Sequence, residues 1–379
     1  MPDKSKMKNP EIGYRPTWAE VNLNNLEYNF RQLKSVVGPK VKVMATVKAD
    51  AYGHGLLPVA RRLAASGVDY FGVASIDEGI RLREAGIENP ILILGMVLKN
   101  NISALFDYGL SVTVCDDDLV SALEIKGASC GKAVGVHIKV DTGMGRLGVA
   151  HEDAFGFIKR IYNKKFVKIH GLFTHFAFAD INRDFTMEQI AIFGRLVTKL
   201  KKRGILIPLL HAANSMGIIG YKQGHFNMVR PGLVLYGLYP TDDVDIKLKP
   251  VLSLKSRVVY VKRMPKDKGI SYGHTYITKK DTNIAVLPIG YGDGYPRNLS
   301  NLAPVLIKGR KFHINGRICM DQVMVDVGSA KIKIGDEAIL IGNSGKNKIT
   351  AEDLAGLSAT IPYEIVCGLG SRIPRVYIG

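Results

Sequence analysis

VKVMATVKA, residues 41–49, is a short β-branched run that ends on a lysine and gives way to a loop, DAYGHG, then to a helical stretch closed by Gly67. The same unit recurs along the chain. YFGVAS begins at Tyr70, ILILGM at Ile91, SVTVCD at Ser111, VGVHIKVD at Val134, VKIHGLFTH at Val167, LLHAANS at Leu209 and FNMVRPGLVLYG at Phe226. The helices between them carry start signals, such as the Ser75 to Glu78 capping box, and stop signals at Gly67, Gly86 and Gly204. Eight strands alternating with helices predict an α/β chain with a (β/α)8 TIM barrel over residues 18–249. A lead-in helix from about Asn22 to Val37 puts Leu23, Leu26, Phe30, Leu33 and Val37 on one face.

Beyond Lys249 the helical period stops. VLSLKSRVVYV, ISYGHTYIT, NIAVLPIGYGDG, APVLIKGRKFHINGRICMDQVMVDVG and EAILIG read as strands and turns, interrupted by one helix, TAEDLAGLSAT, capped by Thr350. Residues 250–379 are therefore expected to form a second, mostly β domain. Residues 1–17 are too few to fold alone and are expected to pair with one of the two domains, the β domain being the candidate.

Composition narrows the class. With 46% hydrophobic and 23% charged residues over 379 positions, the chain is globular, not disordered or collagen-like. The net charge of +18 is spread along the chain. Clusters such as KLKKR (Lys199 to Arg203) and KGRK (Lys308 to Lys311) lack interleaved aromatics and read as solvated faces, so no nucleic-acid partner is expected. The first residues have no apolar core of signal-peptide length, and Pro90 to Leu98 is too short to cross a bilayer, which predicts a soluble cytoplasmic protein with no membrane partner. Cys115, Cys130, Cys319 and Cys367 show no metal-ligand spacing; they are expected to be buried free thiols, with no metal site.

A barrel enzyme carries its reactive groups at the carboxyl ends of the strands. Those ends hold Lys48, with Asp50, Tyr52 and His54 behind it; Lys139, Asp141 and Arg146; His175; His211, Asn214 and Ser215; and Arg230 before Pro231 and Gly232. Strand parity turns Met44, Thr46 and Lys48 inward, and likewise His137, Lys139 and Asp141. Two lysines then converge on an apolar mouth, and each must be paired, modified or used; a Lys–Asp pair at a strand end is the bland alternative. The loops after strands seven and eight, ANSMG and VRPG, offer a Ser hydroxyl at a helix start and a glycine where a phosphate could approach, although Ser215 also reads as an ordinary N-cap. A lysine beside a phosphate cradle suggests pyridoxal 5'-phosphate.

Other motifs carry less. GMGRLG, Gly143 to Gly148, fits a dinucleotide fingerprint but lacks the acidic residue that should follow, since Lys164 and Lys165 stand there. His170 and His175, five apart, are expected on opposite sides of a strand. HEDAF at His151 lacks the second histidine of a zinc helix.

At VKADAYGHG, Val47 to Gly55, the chain resembles the lysine segment of the alanine racemases. The likeness continues through HIKVDTGMGRLG, GLFTHFA, HAANS, VRPGLVLYG, SYGHTY, GYGDGYPR, GRICMDQ and IPYEIVCGLGSRIPR, nearly the whole length. It implies a pyridoxal phosphate enzyme that interconverts L- and D-alanine, supplying D-alanine for bacterial peptidoglycan, as a head-to-tail homodimer with composite active sites. It makes Lys48 the Schiff-base lysine and Tyr272, from the partner, the opposing base. Tyr52, Ser215, Gly232, Leu233 and Tyr363 are implied around the cofactor phosphate, with Asn214 also among the cofactor-binding residues, Arg230 at the pyridine nitrogen and His175 linking Arg230 to Tyr272. Arg146 would approach the ring oxygen and also contact the substrate, and Lys139 matches a lysine carried as a carbamate in many members. Met320 would offer backbone to the substrate carboxylate, with Tyr291, Arg297, Arg317 and Asp321 lining the entrance. His274 departs from the family, which commonly has Arg there. A basic amino acid decarboxylase on a related scaffold would call for a carboxylate at the pyridine nitrogen, and a non-catalytic cofactor carrier would need no β domain; VRPG and SYGHTY favour the racemase.

Overall fold

The computed structural model describes residues 13–239 and 245–379 and divides them into two compact units. The first comprises Leu26–Ala51 and Leu56–Leu248. Its strands Lys42–Thr46, Tyr70–Val73, Ile91–Ile93, Ser111–Val114, Val134–Asp141, Val167–Phe173, Leu209–His211 and Met228–Val229 pair in parallel with their neighbours. Pairing of Met228–Val229 with Lys42–Val43 closes the ring. The eight repeats of the sequence are thus the eight staves of a barrel, in chain order. Met44, Tyr70, Leu92, Leu209 and Met228 fill its interior as one buried cluster, each fully buried apolar side chain contributing about 1.5–3 kcal/mol.

Local chemistry sets the connections. The lead-in helix Leu23–Val37 buries Leu26, Phe30, Leu33 and Val37 on one stripe. Gly67, Gly86 and Gly204 adopt left-handed φ just past helix ends, where a Cβ would be strained. The last stave is short: Met228–Val229 gives way at Gly232 to a 3-10 helix, Leu233–Tyr236, so the apolar LVLY is not strand.

The second unit comprises Lys249–Gly379 with the segments before Leu26 and Tyr52–Gly55. The barrel unit therefore begins later than residue 18, because Thr17–Asn22 is a strand of the β unit, antiparallel to Leu252–Arg257 and parallel to Arg375–Ile378. The expectation for residues 1–12 falls outside the described residues. A three-stranded sheet of Tyr260–Met264, Thr282–Leu287 and Val323–Gly328 forms another layer. Besides Ala351–Leu357, capped by Thr350, the unit holds a second helix, Pro362–Cys367, that sequence periodicity missed; six residues opened by a proline are too few to show a period. None of the four cysteines forms a disulfide, and none is fully buried: Cys130 and Cys367 are exposed at helix ends and Cys115 and Cys319 half-buried. Among the described residues no helix is long and apolar enough to cross a membrane.

Candidate active site

The first strand ends at Thr46, although Val47 still donates to the Gly72 carbonyl at 2.9 Å. Lys48 then opens a left-handed turn. Ala49, Asp50, Ala51 and Tyr52 all have φ of 53–55°, a run that costs L-residues roughly 1–2 kcal/mol each. The turn is held from three directions. Ala51 N–H donates to the Val47 carbonyl at 2.8 Å, Asp50 accepts the amide of Leu56 at 3.0 Å, and Glu78 accepts the amides of Ala49 at 2.7 Å and Ala74 at 2.8 Å. Glu78 therefore does not complete a capping box with Ser75. Ser75 does accept the Glu78 amide, but the Glu78 carboxylate leaves its own helix to brace the lysine turn.

Lys139 is buried inside the barrel, its ammonium 5.5 Å from the centre of the Phe173 ring. Burial first, then the charges of Arg146 and Arg230, lower its pKa to about 8. The Lys–Asp pair does not form, because Asp141 turns its carboxylate to the amides of Gly143, Met144 and Gly145. The same bonds remove GMGRLG as a phosphate loop: its amides are already taken by a carboxylate. Arg146 stands exposed on that loop.

Arg230 is the centre of the mouth. It is fully buried, and one edge donates to His211 Nδ1 at 2.8 Å. The other donates to the carbonyls of Thr174 at 2.7 Å and Ala212 at 3.0 Å, and at 3.4 Å to His175 Nδ1. Every one of these acceptors is neutral. Among the described residues no carboxylate pairs with it, and burial alone pulls its pKa down to about 9. His175 is the weaker link expected from the motif; His211, noted at the end of its strand but given no role there, is the closer partner. Burial and the Arg230 charge hold both imidazoles well below the ordinary histidine range, so both are neutral.

Beside Arg230 the two loops meet. Asn214, not Ser215, is the N-cap of the helix Ser215–Gly220, accepting the Gly217 amide at 2.9 Å. This frees Ser215, whose Oγ accepts the amide of Gly232 at 3.1 Å and still has its own proton to donate. Gly232 leads into the 3-10 helix at Leu233, whose first amides face no carbonyl within the element.

In the β unit, Tyr52 and Tyr363 pack with ring centres 5.8 Å apart. Desolvation, then Tyr363 and Cys367, push the Tyr52 phenol upward. Gly53 and Gly55 make this packing possible, since a Cβ would fall 2.2 Å from the Val366 carbonyl oxygen and 1.9 Å from the Tyr377 hydroxyl. Elsewhere in the unit Tyr272 stands 69% exposed on a turn whose flanks, Ser271, Gly273 and His274, all have positive φ. Ser271 Oγ ties that turn to the Arg317 carbonyl at 2.5 Å. His274 lies against Gly269, where a Cβ would meet its ring at 2.2 Å. Tyr272, Met320 and Asp321 line one open cleft of ≈ 790 Å³. Met320's carbonyl accepts the Gly292 amide, which leaves its own N–H as the group it can offer. Tyr291 and Arg297 are exposed at the starts of two 3-10 turns. Behind Tyr291, the wholly buried Asp293 binds Arg15 at 2.5 Å and Arg372 at 3.5 Å, and Arg372 also pairs with Asp321 at 2.6 Å. No motif in the sequence announced this cluster.

Residues 21–240 match the model described as alanine racemase, N-terminal domain, and residues 251–377 the model described as alanine racemase, C-terminal domain. The chain belongs to the alanine racemase family. The alanine racemase of Halothermothrix orenii is 49% identical over 96% of this chain and 97% of its own, and that of Carboxydothermus hydrogenoformans is 44% identical over 96% and 100%. Among solved structures, alanine racemase from Clostridium difficile 630 superposes with a TM-score of 0.92 at 39% identity, covering 97% of this chain and 96% of that one. The Bacillus anthracis enzyme with bound L-Ala-P gives 0.91 at 35% identity, covering 97% and 96%. Family membership thus extends over both units, including the β unit that carries Tyr272.

Proposed function

We propose that the chain is a cytoplasmic alanine racemase that holds pyridoxal 5'-phosphate at the barrel mouth and works as a homodimer, each site completed by the partner's β unit. The observation that carries the reading is Arg230, a fully buried cation with only neutral acceptors, at the centre of a mouth that also holds Lys48 and the Ser215–Gly232 loops. The residues suit that cofactor. Lys48 is the amine for its aldehyde; Ser215, Gly232, Leu233, Tyr52 and Tyr363 serve its phosphate, with Asn214 holding the turn; and Arg146 serves the ring oxygen. Bound there, the group supplies a conjugated ring that takes up the electron pair left when an amino acid loses its α-proton.

The protein's own groups do the rest. Lys48 moves the proton on one face of the substrate, and Tyr272 of the second copy moves it on the other. Arg230 disfavours a second positive charge beside it, which keeps the ring nitrogen unprotonated and the electron sink modest. Neutral His175, accepting from Arg230 at Nδ1, has its Nε2 proton free to donate to the incoming phenol oxygen. Met320 N–H receives the substrate carboxylate, while Tyr291, Arg297, Arg317 and Asp321 shape the entrance. Four cysteines without a disulfide suit a reducing compartment, and D-alanine for the cell wall is the product that such a location would supply.

Borohydride reduction of the protein with pyridoxal phosphate, followed by peptide mapping, tests this directly. A pyridoxyl group on Lys48 is expected. A label on another lysine, or none, would overturn the reading.

A further inference from the structure

The barrel interior holds a column of imidazoles that the proposed chemistry does not use. Arg230 donates to His211 Nδ1, and His211 Nε2 lies 2.9 Å from His137 Nδ1. A guanidinium has no acceptor, so the polarity of the whole chain follows from Arg230. His211 must accept at Nδ1 and carry its proton at Nε2. His137 must then accept that proton at Nδ1 and carry its own at Nε2, where it is buried with no hydrogen-bond partner among the described residues.

The surrounding residues are built for these rings. Phe173 stacks on His211 at 4.8 Å with 4° between planes, and Tyr70 meets His137 edge-on at 6.0 Å. Gly171 faces His137, where a Cβ would come within 2.2 Å of Nδ1, and Gly135 faces His170, where a Cβ would come within 2.3 Å of its Nδ1. A register shift between Val136 and His137 makes Gly171, not His170, the residue opposite His137. Gly171 thus gives up a side chain beside the buried His137, while His170 over Gly135 is exposed. Burial, His170 and Arg230 hold His137 neutral, its pKa lowered to about 3.

We propose that His137 is a positioning residue of the active site, acting through His211: by accepting the Nε2 proton it locks His211 as a pure acceptor and so fixes the orientation and charge of Arg230. The inference rests on the reading of the mouth as a pyridoxal phosphate site. Without His137 the His211 ring is free to change tautomer, and its Nδ1–H form would face an Arg230 N–H donor to donor. A carboxylate in the same place would orient Arg230 equally well but would offset its charge; a neutral relay does not.

Nitrogen-15 NMR of histidine-labelled full-length protein, with and without pyridoxal phosphate, reads the tautomers. Wild-type His211 and His137 should both be neutral Nε2–H forms from about pH 6 to 9. An Nδ1–H form of His211 would overturn the proposal without any variant. His137→Leu should move His211 out of the pure Nε2–H form and lower kcat on the order of 10-fold with KM little changed, whereas His137→Asn, whose Oδ1 can replace Nδ1 as acceptor, should restore both. Equal behaviour of the two variants, or an unchanged His211 in His137→Leu, would defeat it. Loss of the borohydride label on Lys48 would instead defeat the cofactor reading and leave the tautomers as they are.

Discussion

Glu78 accepts the amide of Ala49 at 2.7 Å, from a helix that begins 28 residues after Lys48 in the chain. One carboxylate on the neighbouring βα unit thereby carries the first amide of a left-handed turn that four successive L-residues would otherwise leave. The same carboxylate takes the Ala74 amide, so the lysine turn and the end of the second stave are pinned to one side chain.

Glu78→Ala should therefore lower stability by about 0.5–1 kcal/mol, because two solvent-exposed amides lose their carboxylate acceptor, and should loosen cofactor retention at the same time. Glu78→Gln, whose single carbonyl oxygen can serve one amide well, should fall between. Urea unfolding and the dissociation constant for pyridoxal phosphate measure both. Unchanged retention in Glu78→Ala would mean the turn is held by Asp50 and its own hydrogen bond alone.

Lys139 should carry carbon dioxide as a carbamate. The neutral amine attacks the carbon, a C–N bond forms and the amine proton leaves to water, so the reaction requires deprotonation. With the pKa lowered to about 8 by burial, Arg146 and Arg230, the neutral share grows as pH rises through that value, and the same two cations would face the anion produced. Carbon-13 NMR after labelling with ¹³C-bicarbonate should show a carbamate signal that grows from pH 7 to 9 and vanishes in Lys139→Gln. A signal that persists in the variant belongs to another amine.

The repeat of staves and helices was legible because strand and helix periods are local; Lys139 was legible because parity turns it inward, and Lys48 because it closes the first β-branched run, although it stands past the strand in the turn that follows. His211 and His137 were harder. Their pairing depends on a bulge at His170 that shifts the register by one residue, and single-strand parity cannot register an extra residue. Glu78 misled for a related reason: a Ser-x-x-Glu spacing promises a capping box, yet the carboxylate found two amides outside its helix. Asp293 and its two arginines are hundreds and tens of residues apart in sequence, so no spacing could reveal them. Tyr272 was singled out by motif alone, since nothing within one chain's periodicity states what a solvent-facing phenol will meet.

A homodimer with composite sites makes that last point testable. Tyr272 is 69% exposed and shares its open cleft with Met320, as expected of groups that another copy covers. Mixing inactive Lys48→Ala and Tyr272→Phe proteins should restore about one competent site per heterodimer, since each chain supplies what the other lacks. Absence of recovery after verified subunit exchange would place Tyr272 outside the partner's site.

The direction of proton transfer separates two bases from one. If Lys48 and Tyr272 serve opposite faces, each exchanges the α-hydrogen of one enantiomer directly, Lys48 that of D-alanine and Tyr272 that of L-alanine. Tyr272→Phe leaves Lys48, Arg230 and the cofactor loops untouched, because the ring it alters stands on an exposed turn in the β unit. Racemisation should then fall on the order of 100- to 10,000-fold, the usual loss for a positioned general base, while exchange on the lysine face continues. In deuterated water the variant should wash deuterium into D-alanine much faster than into L-alanine, and much faster than it racemises either. A single base swinging between faces would keep exchange and racemisation coupled for both enantiomers. Symmetric exchange would remove Tyr272 as the second base and turn attention to His175, 3.4 Å from Arg230, or to the exposed Tyr291.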